Sequence, residues 1–109
     1  LAVGTTPISI AIDSTSTYAY VANYGDGTVT KINLSTFTTV GSALAVGANP
    51  RSIAIDSSNT YAYVANQSVN SVTKINLSTF LTVGSALAVG KYPYSIAIDK
   101  TSNFFVFMN

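Results

Sequence analysis

From its first proline onward the chain alternates short apolar runs with turns rich in Ser, Thr, Asn and Gly. Ile8-Ser9-Ile10-Ala11-Ile12 carries a β-branched residue at every second position and stops at Asp13, whose carboxylate can cap the Ser/Thr-rich turn that follows. Tyr18-Ala19-Tyr20-Val21-Ala22 puts both tyrosines on one face and small or branched residues on the other, the period of two that marks a strand. After Asn23, the turn Tyr24-Gly25-Asp26-Gly27 contains the Asp-Gly pair favoured in tight hairpins and leads into Thr28-Val29-Thr30-Lys31-Ile32. A fourth run, Thr39 through Val46, sets Val40, Leu44 and Val46 on one face and Gly41, Ala43 and Ala45 on the other, before Gly47 and Pro50 close the unit. Connections this short leave no room for a helical crossover, so the strands are expected to pair antiparallel as a four-stranded meander.

The whole unit then returns. Leu1-Ala2-Val3-Gly4 recurs at Leu44-Ala45-Val46-Gly47 and at Leu87-Ala88-Val89-Gly90, a period of 43 residues. A repeat of about 40–45 residues holding several short strands is the size of one propeller blade. The expected fold is therefore all-β: β-propeller blades, about two and a half per chain, forming an incomplete propeller. Blade 1 is placed at about residues 5–47, blade 2 at about 48–90 and a half blade at 91–109. Ala11 and Ala19 suit close blade-to-blade contact, and Ile10, Ile12, Val21, Val29 and Leu44 are expected to fill the core. The half blade keeps Ser95-Ile96-Ala97-Ile98-Asp99, but its second strand has become Phe104-Phe105-Val106-Phe107-Met108-Asn109, where the alternation is lost. An uncharged aromatic strand with an open edge is a template for further pairing. Propellers close with about four to eight blades, so two end faces are expected to need cover, from further blades of a longer chain or from self-association into a closed oligomer or a filament.

Tyr20-Val21-Ala22-Asn23 and Tyr63-Val64-Ala65-Asn66, each followed by a valine-containing strand at Val29 or Val72, resemble the core of the YVTN-type β-propeller repeat. The Gly47-to-Pro50 and Gly90-to-Pro93 links resemble its Gly-x-x-Pro junction, and the likeness covers essentially the whole chain. It departs at the phenylalanine-rich third unit and at Asn33 and Asn76, where the family often has Asp. The resemblance implies a surface-layer or secreted protein and, more distantly, lactonase-like enzymes. Trp-Asp and Gly-His signatures are missing, which argues against the WD40 class.

Composition narrows the chemistry. His, Cys and Glu are absent, which removes the ordinary general bases, nucleophile-base pairs and transition-metal ligand sets. No catalytic residue, metal site or cofactor is expected, and the chain is read as no enzyme. Asp13, Asp56 and Asp99 recur at the end of each first strand and read as turn caps, not as ligands for a hard cation. Lys31 and Lys74 read as solvated lysines that discourage edge pairing. A formal charge of +1 forms no basic stripe for nucleic acid, and no apolar run approaches the ~20 residues of a membrane-spanning helix, so neither partner is expected. Only 8% of residues are charged, and a surface of hydroxyls and amides suits an extracellular or cell-surface protein. Asn33-Leu34-Ser35, Asn66-Gln67-Ser68 and Asn76-Leu77-Ser78 match the N-glycosylation acceptor pattern. A chain that opens inside a repeat has the look of a processed, excised or recombinant segment.

Comparing the first two units locates variation. They differ at eleven positions, eight of which lie in the link before the first strand or in the turn between the second and third. A meander brings both connections to the same end of the blade, whereas the Asn-Leu-Ser-Thr-Phe turn at the other end is unchanged. One rim is thus a candidate binding surface on a constant frame: Tyr24, Asp26, Arg51, Gln67, Asn70, Lys91, Tyr92 and Tyr94, suited to a protein loop or a glycan. The expected function is a non-enzymatic scaffold for self-assembly and recognition. The alternatives are a fragment of a lactonase-like enzyme whose active residues lie in other blades, or an engineered repeat protein.

Overall fold

The computed structural model describes residues 1–98 and the strand Phe105–Met108; Asp99, Phe104 and Asn109 lie outside the described residues. The first sheet holds β1 (Pro7–Ile12), β2 (Tyr18–Asn23), β3 (Thr28–Asn33), β4 (Thr38–Thr39) and β5 (Leu44–Ala45). The second repeats it with β6 (Pro50–Ile55), β7 (Tyr61–Asn66), β8 (Ser71–Asn76), β9 (Leu81–Thr82) and β10 (Leu87–Ala88), adding a single 3₁₀ turn at Gln67–Val69. The third pairs β11 (Ser95–Ile98) with β12 (Phe105–Met108). All pairings are antiparallel, and the long strands pair in succession, the meander expected of propeller blades in an open array.

The fourth run differs from expectation. Instead of one strand from Thr39 to Val46, two short strands pair with opposite ends of β3, Thr39 opposite Ile32 and Leu44 opposite Val29. Gly41 lies between them at φ 66°, a left-handed conformation that kinks the outer edge, and Gly84 repeats it in the second sheet at φ 66°. An interrupted edge strand is a poor template for unwanted pairing.

The first two sheets are apolar on both faces. Tyr20, Ala22 and Val29 on the back of the first sheet pack against Ile53, Ile55, Ala62, Val64, Ile75 and Leu77 on the front of the second. Tyr63 and Val72 on the back of the second meet Ile96 of the third. Identical residues therefore meet different fates. Ile53 and Ile55 are 6% and 8% exposed, whereas their first-sheet equivalents Ile10 and Ile12, expected in the core, are 59% and 53% exposed because none of the described sheets lies in front of them.

Lys31 also departs from expectation. It is buried between the first two sheets, its Nζ 4.2 Å above the Tyr18 ring and donating to the Leu77 carbonyl at 3.3 Å. The cross-strand register sets Tyr20 opposite Lys31 and leaves Tyr18 one step along the same face, which brings the ammonium over that ring. Lys31 thus clamps blade to blade instead of guarding an edge.

A polar clamp holds each hairpin to its incoming link. Asn66 is fully buried; its Oδ1 accepts from the Gly47 N–H at 3.2 Å, and its Nδ2 donates to Ser71 Oγ at 3.2 Å and Thr73 Oγ1 at 2.8 Å. Asn23 does the same with Gly4, Thr28 and Thr30. The link passes so close that a Cβ on Gly47 would sit 2.6 Å from Asn66 Cγ, which explains glycine there. Asn66 is therefore a structural residue and not the glycan acceptor that its sequence context allows.

Three substitutions probe this packing. Ile53→Ala should cost about 2–5 kcal/mol in denaturant unfolding, and Ile10→Ala within roughly 0.5 kcal/mol of zero at dilutions where the chain is alone, although the residues are repeat equivalents. Gly47→Ala should cost about 1–3 kcal/mol through overpacking against a side chain that its own hydrogen bonds hold in place. Equal losses for the two isoleucines would contradict the interface.

Candidate functional site

The two variable connections do meet at one end of the sheets. Backbone bonds join them directly: Tyr24 N–H to the Thr6 carbonyl and Gly25 N–H to the Thr5 carbonyl, both at 2.9 Å, then Gln67 N–H to the Asn49 carbonyl at 3.0 Å. Successive rims are also tied together. The Tyr24 hydroxyl donates to Gln67 Oε1 at 3.2 Å, and Asn49 Nδ2 donates to the Tyr24 carbonyl at 3.2 Å.

Two local devices shape this end. The first strand enters with a bulge, since Pro7 faces Asn23 but Ser9 already faces Ala22, and Pro50 and Ser52 repeat the slip. Ile8 and Arg51 are the extra residues, both exposed, and a bulge of this kind re-aims a side chain away from the ladder. Two positions earlier, Thr6, Asn49 and Tyr92 all adopt left-handed backbone, at φ 53°, 55° and 53°. Asn tolerates that conformation, whereas a β-branched Thr and a bulky Tyr are strained in it.

The predicted rim residues divide into two groups. Tyr24, Gln67, Asp26 and Asn70 hold the frame: Asp26 Oδ2 accepts from the Thr5 N–H at 2.7 Å, and Asn70 Oδ1 accepts from the Tyr92 N–H at 3.0 Å. The Thr5 hydrogen bonds keep the Asp26 carboxyl below the ordinary carboxylate range. Arg51, Lys91, Tyr92 and Tyr94 project instead as exposed side chains. Two cations and two phenols offer contact area and hydrogen bonds but no nucleophile-base pair. Ile8 and its bulge were not foreseen as part of this surface, because a register slip leaves no mark in the pattern of apolar residues.

Elsewhere the recurring aspartates act as turn caps. Asp13 Oδ1 accepts from Thr17 N–H at 2.8 Å, and Asp56 Oδ1 from Thr60 N–H at 2.9 Å. Among the described residues no cluster of three or more His, Cys, Asp or Glu could hold a metal ion. Asn33 and Asn76 lie partly exposed on the constant rim, where each Oδ1 accepts from the second residue after it, Ser35 or Ser78, at 2.9 Å.

No protein-family model and no curated protein sequence matches the chain. Solved structures do resemble it. Hydrazine synthase of Kuenenia stuttgartiensis superposes over 98% of the chain with a TM-score of 0.89 at 21% identity, covering 31% of that protein. A functionally unknown protein from Desulfotomaculum acetoxidans DSM 771 covers all of the chain (100%) with a TM-score of 0.87 at 15% identity, over 37% of its own length. A putative 6-phosphogluconolactonase from Bacteroides uniformis gives 0.81 at 9% identity, over 94% of this chain and 33% of that one. The chain spans about a third of each, and the likeness places it among β-propeller-like folds.

Beneath the rim, burial first, then the nearby Asp13 and Tyr18, pushes the Tyr20 hydroxyl up to about 12 from 10.0. Tyr20 therefore contributes stability that is full below pH 10, where neither state ionises, and declines as pH rises toward about 12 and the unfolded chain deprotonates first. Burial lowers the Lys31 pKa, so its contribution runs the other way, growing as pH rises toward 10.5. The tyrosine shift is the larger of the two, so melting temperature should fall from pH 10 to 12. Tyr20→Phe should flatten part of that fall; an unchanged slope would remove Tyr20 as its source.

Proposed function

We propose that the chain is a non-enzymatic, extracellular or cell-surface propeller scaffold of the YVTN type, whose variable rim recognises a protein loop or a glycan. The supporting observation is where variation falls. Eight of the eleven positions that differ between units gather at one end, on a bulge and a left-handed kink that turn side chains outward, while the Asn-Leu-Ser-Thr-Phe turn at the other end keeps its sequence. Loops carried on a rigid frame are the usual place for recognition, and backbone strain at exposed Thr6 and Tyr92 is the kind that functional surfaces retain.

Assembly is the other half of this reading. The uncovered Ile8, Ile10 and Ile12 on the front of the first sheet form an apolar face that further blades, or a second copy, would cover as the second sheet's Ile53 and Ile55 are covered. Asn33 and Asn76 are the acceptor asparagines with exposure enough to carry a glycan in the folded protein.

On a glycan array and against a panel of cell-surface proteins, the chain should give saturable binding that Arg51→Ala and Tyr94→Ala each reduce by about tenfold with unchanged circular dichroism. Array and panel signals at background for the parent chain would end the recognition reading. In light scattering, mass should rise with concentration, and a constant monomer mass would end the assembly reading.

A further inference from the structure

Behind the second sheet lies a groove of about 560 Å³ whose lining includes Asp56, Tyr61, Tyr63, Val72, Lys74 and Leu87. One repeat earlier the same chain shows such a groove partly filled, with about 340 Å³ remaining. There the equivalent surface of Asp13, Tyr18, Tyr20 and Lys31 receives the turn that follows β8. Leu77 is buried in it, Phe80 tilts against Tyr20 with ring centres 6.1 Å apart, and Lys31 donates to the Leu77 carbonyl. In the second groove the seat is already formed: Lys74 Nζ stands 4.0 Å above the Tyr61 ring, as Lys31 stands above Tyr18.

The third sheet accounts for only part of this surface. β11 packs beside β6 and β7, covering the inner strands as β6 covers β1 and β2, but the sheet ends at β12. Among the described residues no strand pairs with the other edge of β12, and none corresponds to β8, β9 or β10 over the groove. A second copy would bring its own turn, Asn33–Phe37, with β1 and β2 attached, and the place those strands need against β6 and β7 is taken by β11. Among the described residues a bare hairpin meets no such obstruction.

We propose that this groove is a receptor for a β-hairpin of the repeat's own outer half, of the kind seen in Ser71–Ala88. The hairpin pairs along the free edge of β12 and lays its Leu-Ser-Thr-Phe turn on Tyr61 and Lys74, so that its leucine carbonyl accepts from the ammonium. This rests on the assembly half of the reading above and is independent of the rim.

The test titrates the full chain into a fluorescent peptide of sequence Ser71–Ala88 and reads anisotropy and the chain's melting temperature. Saturable binding and a raised melting temperature are expected. Peptide carrying Leu77→Ser and Phe80→Ser should bind about tenfold more weakly or worse, and so should parent peptide with chain carrying Val83→Asp, an exposed residue at the groove edge whose replacement leaves circular dichroism unchanged. A second form fuses the hairpin to the C-terminus through a flexible linker, which raises its effective concentration into the millimolar range and offsets the cost of ordering it. The fusion should melt higher than the same fusion with both serines. Absence of free-peptide binding together with no gain in the fusion overturns the proposal, as does equal binding by the double-serine peptide. So does oligomerisation of the chain that Val83→Asp abolishes, since a second copy would then be the occupant. A monomeric chain that binds the hairpin fails the assembly reading and keeps this one; an oligomer that ignores the hairpin does the reverse.

Discussion

A sheet that is apolar on both faces has no stable existence alone, and this requirement governs the molecule. Burying one isoleucine contributes roughly 1.5–3 kcal/mol, but only if another sheet lies against it. Ile53 has that neighbour and Ile10 does not, and the difference between 6% and 59% exposure separates two residues with the same local sequence. Stability is accordingly a property of interfaces between repeats more than of the repeats themselves, as in other arrays whose units touch only their neighbours.

Polar contacts decide how the sheets meet. Asn66 joins a hairpin to the link entering its own sheet, and Lys31 joins one sheet to the next through an aromatic ring and a carbonyl. Among the described residues no buried side-chain polar atom lacks a partner, so these groups avoid the penalty that burial would otherwise impose. Apolar packing alone would tolerate sliding of one sheet over another. A lysine that finds both a ring and a carbonyl, as Lys31 does, tolerates much less.

Constancy in the frame leaves one end free to vary. The bulge at Ile8 and Arg51 and the left-handed residues two positions earlier are set by backbone geometry common to the repeats, so side chains there can change without disturbing the ladder. The Leu-Ser-Thr-Phe turn at the opposite end has no such freedom, because it is the part that enters the neighbouring sheet. The proposed recognition surface and the turn that joins one sheet to the next thus lie at opposite ends of the same strands.

Local patterning was enough to define the period of 43, the first three strands of the two full units, the Asp-Gly hairpin, the aspartate caps and the meeting of the variable loops at one end. These follow from alternation, turn chemistry and short connections, which act within a few residues. The break in the fourth strand at Gly41, the burial of Lys31 and Asn66, and the exposure of Ile10 and Ile12 were decided only in three dimensions. A side chain's place in the strand pattern sets which face it occupies. Whether that face is wet, dry or threaded by another segment depends on what lies across from it, and that partner comes from a different repeat.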